Sequence, residues 1–232
     1  MIHLLPRWVW TGAWALAFIA GIVNVVGFLG FEHQAITHLT GTASLLSAAL
    51  GHFDRVLILR VGAGLFAFIL GTTISGFIIE DSVLKLGSRY SFALLIESSL
   101  LIAAVPLMKQ TNMYGYYLAS CACGLQNAMA TTYSGSVVRT THLSGMFTDL
   151  GIALGHLLRG KQFNTRRVRL SLVVITGFIS GGITGTLLYD KYSYNTLYLP
   201  AAFTGIVAVV YHIVSDRYNA KKIRSVLIFD IA

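Results

Sequence analysis

Two polar boxes that each contain a histidine recur in otherwise apolar surroundings of this chain. The first reads Thr37-His38-Leu39-Thr40-Gly41, and the second reads Thr141-His142-Leu143-Ser144-Gly145. Imidazole can donate or accept a hydrogen bond, carry a proton or ligate a metal, and the N–H groups at a helix start attract anions. The boxes therefore predict a binding site for a small anionic or polar solute. Its candidate residues here are His38, Thr40, Gly41, His142, Ser144 and Gly145.

Two other interpretations of the histidines remain open. A buried histidine that only satisfies a backbone carbonyl would make His38 and His142 structural. Metal binding is weaker, because the chain has no His-x-x-Glu or cysteine-rich ligand set and pairing the histidines requires the boxes to face each other. We therefore predict no metal and no cofactor. The sequence also lacks a Ser-His-Asp triad, a phosphate loop, an HExxH helix and a haem-ligation motif, which favours a protein that is not an enzyme.

A pair of asparagines occupies matching positions upstream of the boxes. Asn24 ends the sequence Gly21-Ile22-Val23-Asn24, and Asn127 ends Gly124-Leu125-Gln126-Asn127. An amide offers both donor and acceptor groups, so the two side chains are candidates to line a polar, substrate-binding site between the halves. The alternative is an interhelical hydrogen bond that holds each repeat together, worth roughly 1 kcal/mol.

Two acidic residues lie inside apolar segments and are candidates for proton or ion coupling. Asp149 has no counterpart in the first half, where Leu45 stands. On a helix it shares one stripe with His142, which allows a proton relay, but it could equally pair with Arg139. Glu97 lies in the middle of another apolar segment, where it could bind a coupling proton or cation or hydrogen-bond a neighbouring helix.

The composition of the chain requires a membrane environment for these residues. Of the 232 residues, 55% are hydrophobic and 11% are charged, and the mean hydropathy is +0.71. A soluble domain carries roughly 25% charged residues. So few charges cannot cover a surface that faces water, so the chain is predicted to be an integral membrane protein in contact with the lipid bilayer.

Eight apolar segments form a repeat of four and four. Helices are expected because lipid cannot satisfy open backbone groups. The sequence predicts an all-α single membrane domain over 1–232, with a first repeat at about 8–108, a second at about 113–214, and a basic cytoplasmic tail at 215–232. The segments are 8–31, 36–51, 56–79, 90–108, 113–133, 141–158, 168–189 and 196–214.

The second segment of each repeat is short and polar at its start. If both segments enter and leave on one side, six segments cross and the repeats are inverted; if all eight cross, the repeats are parallel. Short, interrupted segments at matching positions of two halves are typical of transporter binding sites, and we favour the six-crossing arrangement. Both arrangements put both termini in the cytoplasm, because most Lys and Arg residues then lie inside.

A cluster of basic residues separates the sixth and seventh segments. The positive-inside rule explains it as a cytoplasmic loop, with contact to anionic lipid headgroups as a compatible role. Nucleic-acid binding is disfavoured, since the chain has no room for a soluble domain. The cluster consists of Arg159, Lys161, Arg166, Arg167 and Arg169.

Small residues at four-residue spacing mark the third segment of each repeat. Such stripes let helix backbones approach closely in lipid. Ile74-Ser75-Gly76 and Ile179-Ser180-Gly181 are the matching stretches that align these two segments. We predict helix packing through Gly71, Ser75, Gly177, Gly181 and Gly185.

The boxes also resemble a known family. Thr37-His38-Leu39-Thr40-Gly41, the stretch 123–130, Tyr133-Ser134-Gly135 and the stretch 138–145 are similar to the YoaK family, a domain of unknown function in bacteria. The resemblance covers about residues 10–215 and implies a multi-pass protein of the bacterial inner membrane, without a substrate. Family members usually carry Asp where this chain has Asn24, which weakens the idea of a coupling acid there.

Three hypotheses for the function follow from these residues. The first is a small secondary transporter or channel whose site lies between the two repeats. The second is a non-transporting membrane scaffold or stress protein in which the polar residues are structural. The third is an intramembrane enzyme that acts on a lipid or quinone, with its site near His142 and Asp149.

Overall fold

Helices are the only regular secondary structure in the described part of the chain. A computed structural model describes residues 7–30, 36–79, 88–134 and 139–229. Within these ranges there is no strand, and the prediction of an all-α membrane protein is confirmed. The helices are α1 (Arg7–Gly30), α2 (Leu39–Gly51), α3 (Arg55–Ile78), α4 (Ser88–Lys109), α5 (Met113–Tyr133), α6 (Leu143–Leu158), α7 (Thr165–Tyr192) and α8 (Tyr198–Phe229), with a 3-10 turn at Ser193–Leu197.

Among the described residues, four stretches are long and apolar enough to cross a membrane, judged by length and composition. They are Val9–Gly30, Arg55–Ile78, Arg89–Lys109 and Thr165–Ile213, the last of which contains α7 and half of α8. By contrast, α2 has 13 residues and α6 has 16. At 1.5 Å per residue these two helices are roughly 20–24 Å long, less than the roughly 30 Å of a bilayer core.

Helix α5 lies at the centre of the bundle. It is the most buried of the described helices and packs against α1, α3 and α4. Its Ser120 hydroxyl donates a hydrogen bond of 3.0 Å to the Gly64 carbonyl of α3. Because α5 faces protein rather than lipid, it can carry polar residues that a lipid-facing helix would not tolerate.

Glycines hold α1 against α7 at backbone contact. A Cβ on Gly181 would collide with the carbonyl oxygen of Phe18, and one on Gly21 would collide with that of Phe178. Gly177 faces Trp14, and Gly185 likewise faces Ile22 further along α1. Residues further along α1 thus contact residues further along α7, so the two helices run parallel.

Helices α3 and α5 repeat this arrangement. A Cβ on Gly71 would collide with the Cys121 carbonyl, and one on Gly124 with that of Phe68. Closer to the start of both helices, the Tyr117 hydroxyl bonds the carbonyl of Arg60 at 3.2 Å, so α3 and α5 are also parallel. Helix α1 therefore packs on α7, and α5 packs on α3, each pair with parallel axes.

The glycine contacts with α5 and α1 correct the sequence alignment of α3 with α7. They make Gly71 equivalent to Gly181 and Phe68 equivalent to Phe178. The match of the two Ile-Ser-Gly stretches instead aligned Gly76 with Gly181, but a Cβ on Gly76 would meet open space. The glycines predicted to pack do lie at these helix contacts, and Ser75 is fully buried.

Helices α4 and α8 run in opposite directions, and so do α1 and α5. Ser91 and Ser98 of α4 donate hydrogen bonds of 2.6 and 2.7 Å to the carbonyls of Ala208 and Ala201 of α8, so α4 and α8 are antiparallel. Val9, at the start of α1, lines a cavity together with the end of α5, and the later part of α1 shares an apolar cluster with the early part of α5. Helices α1 and α5 are therefore antiparallel too.

The short helices lie at the periphery of the bundle. Helix α2 packs against α3 and α6 packs against α7, and α2 and α6 make no contact with each other in the described chain. Helix α8 continues to Phe229, so most of the predicted basic tail prolongs this helix. Residues 230–232 of that tail lie outside the described ranges.

Candidate functional site

Each asparagine anchors the turn that precedes its short helix. The Asn24 Oδ1 accepts hydrogen bonds from the backbone N–H of Thr37 at 2.9 Å and from its hydroxyl at 2.8 Å. In the other half, Asn127 Oδ1 accepts one from the Thr141 hydroxyl at 3.3 Å. Both amide oxygens are thus used within their own repeat. This geometry corresponds to the structural link that was the alternative to substrate binding.

The histidine and glycine of each box form a local unit. A Cβ on Gly41 would collide with the imidazole of His38, and a Cβ on Gly145 would collide with that of His142. The ring folds over the first turn of the helix, where the glycine leaves room for it. Both histidines are nevertheless exposed.

The short helices begin without a side-chain cap. Asp54, Asn112 and Asn164 cap α3, α5 and α7 with a side-chain oxygen on a backbone N–H at 3.0–3.2 Å. His38 and His142 stand at the same position of α2 and α6 and make no such bond. A helix start without a cap has free N–H groups and the positive end of the helix dipole. In the described chain these groups belong to Thr40 and Gly41 in α2 and to Leu143, Ser144 and Gly145 in α6.

The two boxes do not form one shared site. Since α2 and α6 pack against different helices and do not touch, His38 and His142 lie at two separate places on the surface of the bundle. The expectation that both boxes meet at a common centre is therefore not met. The physical reason is that α3 and α7, on which α2 and α6 pack, pair with α5 and α1 and do not contact each other in the described chain.

Asp149 is held by an arginine of the basic loop. Arg167 Nε lies 2.8 Å from Asp149 Oδ2, and its Nη2 lies 2.8 Å from Oδ1. This is a two-point ion pair. The expected partner, Arg139, is wrong, because α6 lies along α7 and brings the carboxylate to the start of that helix. A relay through Asp149 and His142 is not favoured either, since both carboxylate oxygens are engaged.

Glu97 is buried in the interior of the bundle. Its side chain is 2% exposed, it lies near Cys123 of α5, and its Oε2 has no hydrogen-bond partner among the described residues. An ionised carboxylate without a partner is costly in such a place. Among the acidic residues predicted to couple protons or ions, Glu97 has the environment of a proton-binding group.

The chain matches, over residues 12–210, a family described as "Protein of unknown function (DUF1275)". The chain belongs to this family. It is also similar to the UPF0700 transmembrane protein YoaK of Bacillus subtilis (strain 168), with 25% identity over 193 residues that cover 80% of this chain and 86% of the relative. No solved structure matches the chain. The resemblance read from the boxes is confirmed, and so is a polytopic membrane protein.

One buried polar residue of this DUF1275 protein was missed by the sequence reasoning. Gln126 is 1% exposed, and its Nε2 has no hydrogen-bond partner in the described part of the chain. It stands inside the second Gly-x-x-Asn box, where the first box has Val23. Comparing the two Gly-x-x-Asn boxes for positions where they differ would have revealed Gln126, because a polar residue there replaces an apolar one.

The basic cluster that was predicted to be a cytoplasmic loop lies on the surface. The five basic residues from Arg159 to Arg169 are all exposed at the end of α6 and the start of α7, and Arg167 is engaged by Asp149. No group of three or more His, Cys, Asp or Glu in the described ranges is placed to hold a metal ion.

Proposed function

We propose that this protein is a small proton-coupled secondary transporter of the bacterial inner membrane, built from two inverted repeats. The single observation that carries the proposal is the opposite direction of equivalent helices. Inverted repeats with short, interrupted segments at matching positions are typical of secondary transporters, whose sites lie at the repeat interface.

The helix directions support six crossings. Helix α3 runs parallel to α5, and α5 is antiparallel to α1, so α1 and α3 cross in opposite senses. The end of α1 and the start of α3 then lie on the same side, and α2 enters and leaves from that side. The same reasoning applies to α5, α6 and α7 on the opposite side. Both termini lie on one side, which the charge distribution assigns to the cytoplasm.

The two boxes then open toward opposite sides of the membrane. Asn24 precedes the end of α1 by six residues, and Asn127 precedes the end of α5 by the same number. At 1.5 Å per residue, each box lies about 9 Å below a helix end. The uncapped N-termini of α2 and α6 favour an anionic or polar solute. We propose that each box contacts the solute on entry and exit, with Asn24 and Asn127 offering their amide nitrogens.

Glu97 is the proposed coupling group. A carboxylic acid buried within a membrane protein is stable while it carries a proton, and it can release that proton only when a pathway to water opens. Alternating access would open such a pathway to one side at a time. Proton binding at Glu97 would thereby bias which side the transporter faces.

The test is a flux assay in proteoliposomes. Vesicles that contain the purified protein and an internal pH dye are given a panel of small anions and polar solutes under an imposed pH gradient. Glu97→Gln should lower solute-dependent proton movement at least about tenfold, because the group no longer titrates. Glu97→Asp should retain part of the activity, and Asp149→Asn serves as the matched acid control outside the core.

A second function is favoured by one specific observation. Each asparagine oxygen is used inside its own repeat, and the boxes do not touch, as expected if the polar residues are structural in a non-transporting scaffold. Absence of flux for every solute, with a folded wild-type protein, would contradict the transporter and support the scaffold. The basic loop would then bind a cytoplasmic partner or anionic lipid. A lipid or quinone enzyme is less supported, since Asp149 is paired with Arg167.

A further inference from the structure

Two polar side chains are buried in the contact between α4 and α5. Glu97 is 2% exposed and Gln126 is 1% exposed. The Oε2 of Glu97 and the Nε2 of Gln126 have no hydrogen-bond partner within the described ranges. A buried polar atom without a partner is rare and needs an explanation. A carboxyl oxygen accepts what an amide N–H donates, so the needs of the two side chains are complementary.

Helices α4 and α5 are antiparallel and keep one register along their contact. A Cβ on Gly115 of α5 would collide with Met108 of α4. Near the other ends of the two helices, the Tyr133 ring contacts the Tyr90 ring, with centroids 5.7 Å apart. Gly115 and Tyr133 are 18 positions apart, and so are Tyr90 and Met108. The pairing of positions is therefore the same at both ends of the contact.

This register places Glu97 and Gln126 opposite each other. Glu97 follows Tyr90 by seven residues, and Gln126 precedes Tyr133 by seven. Seven residues are about two helical turns, so each side chain lies on the same face as the tyrosine that marks the contact. The thiol of Cys123, one turn before Gln126, is within electrostatic reach of Glu97. The carboxyl group and the amide thus face each other near the middle of the bundle.

No basic side chain of the described chain faces Glu97. From α5 the ionisable group that faces it is the thiol of Cys123. The α8 stretch 201–208 and the α3 stretch 61–78 carry no ionisable side chain, and the Tyr194 hydroxyl of the 3-10 turn is bonded to a carbonyl of α1. An ionised carboxylate without a counter-charge is costly in such a place. The amide across the contact is therefore the polar group that can hold this carboxyl group.

We propose that Gln126 is the positioning residue of a proton-binding pair, and that its amide holds the protonated carboxyl group of Glu97 by two hydrogen bonds. The carboxyl O–H donates to the amide Oε1, and the amide Nε2–H donates to the carboxyl C=O. The terminal torsions of both side chains are broad, so the two groups can turn to meet. When the proton leaves to water, the first bond is lost. The inference rests on the proposed coupling role of Glu97.

Infrared difference spectroscopy of the full-length protein in lipid nanodiscs tests the pair without any solute. In weakly acidic buffer, the C=O stretching band of protonated Glu97 is identified by its loss in Glu97→Gln. Gln126→Leu removes both partners of the carboxyl group and should shift this band to higher frequency, because a C=O group that accepts no hydrogen bond is stiffer. Gln126→Asn keeps an amide and should give a smaller shift. Met129→Leu, a volume-conserving change at a buried position of α5, is the matched control and should leave the band in place.

An exchange of the two groups is the decisive variant. Glu97→Gln combined with Gln126→Glu moves the acid to α5 and the amide to α4, and it conserves the volume of the pair. The band that is lost in Glu97→Gln should return close to its wild-type frequency, because the same two groups meet again. A returned band at the frequency of Gln126→Leu would overturn the pair, and so would an unshifted band in Gln126→Leu. The exchange keeps the test valid if Gln126→Leu does not fold.

Two other outcomes would also overturn the assignment. If Glu97→Gln removes no band, the carboxyl group of Glu97 carries no proton and the pair does not exist as proposed. If replacing potassium by sodium at constant pH abolishes the band in the wild-type protein, the carboxylate binds a cation instead of a proton.

The flux assay fails or succeeds independently of the infrared result. Gln126→Leu should lower solute-dependent proton movement about tenfold, the effect of one or two lost hydrogen bonds. Absence of flux for every solute, together with the expected band shifts, would contradict transport and confirm the pair. Flux that depends on Glu97, together with an unshifted band in Gln126→Leu, would overturn the pair and support the transporter.

Discussion

Asn24 and Thr37 are joined by two hydrogen bonds across thirteen residues, one to the backbone N–H and one to the hydroxyl of the threonine. The link fixes the start of α2 about 9 Å below the end of α1, given 1.5 Å of rise per residue. Asn127 and Thr141 repeat it with a single longer bond. A polar pair within a membrane protein thus defines where each short helix begins.

Replacing the asparagines should destabilise the two halves unequally. Asn24→Leu leaves the N–H and the hydroxyl of Thr37 without an acceptor, and we expect a loss of about 2–3 kcal/mol in the free energy of unfolding. Asn127→Leu removes one bond of 3.3 Å and should cost about 1 kcal/mol or less. Unfolding in mixed micelles measures both changes. Equal losses, or a larger loss for Asn127→Leu, would contradict the geometry.

The contact between His38 and Gly41 predicts a rescue. Gly41→Ala places a methyl group where the imidazole lies and should destabilise the protein by about 1–3 kcal/mol. In a His38→Ala background the same change should become neutral or stabilising, because alanine is the better helix former. Thermal melting of the four variants gives the coupling energy. Additive effects would mean that the ring does not occupy this space.

Neighbouring glycines in α7 provide a matched pair for the packing of α1. Gly181→Ala introduces a collision with the Phe18 carbonyl, whereas Gly182→Ala meets open space. We expect Gly181→Ala to destabilise by about 2–4 kcal/mol and Gly182→Ala to stabilise by up to about 1 kcal/mol. Unfolding in mixed micelles distinguishes the two. Similar effects of both substitutions would show that α1 and α7 are not held at backbone contact.

Hydropathy and the repeated sequence boxes were enough to predict the class of the fold and the lengths of its helices. Composition predicted a helical membrane protein, and the short length of α2 and α6 followed from their apolar runs. The packing partners were not predictable, because a small-residue stripe does not name the helix that it faces. The match of Gly76 with Gly181 failed for a related reason. In a stripe of small residues several alignments look alike, and only backbone contacts select one.

The candidate site was predictable in its residues but not in its arrangement. The repetition of Asn24 and Thr37 in the second half indicated that they matter, but sequence alone could not tell that they bond each other. The sequence offered Arg139 as a partner for Asp149, but the structure pairs it with Arg167 at the start of the next helix.

The ion pair of Asp149 and Arg167 should contribute little to stability. The two side chains are 18% and 60% exposed, and pairs at such places are worth about 0–1 kcal/mol. We expect Asp149→Asn to lower the free energy of unfolding by no more than this, with a smaller effect at high salt. Asp149→Arg combined with Arg167→Asp should restore the wild-type value. A large loss in Asp149→Asn would indicate a role that the ion pair does not explain.

Side-specific labelling of two connections tests the number of crossings. In a Cys121→Ser, Cys123→Ser background, single cysteines are introduced at Phe53, between α2 and α3, and at Lys161, between α6 and α7; both positions are exposed. In the six-crossing arrangement α2 returns to the side it came from, and a membrane-impermeant thiol reagent should label the two cysteines from opposite sides.

With eight crossings both connections lie on the cytoplasmic side, so Phe53→Cys would be protected from an external reagent in intact cells together with Lys161→Cys. That result would make the repeats parallel. It would also conflict with the antiparallel contacts of α4 with α8 and of α1 with α5, because equivalent helices of parallel repeats cross the membrane in the same sense. External labelling of Phe53→Cys alone is the outcome that inverted repeats require.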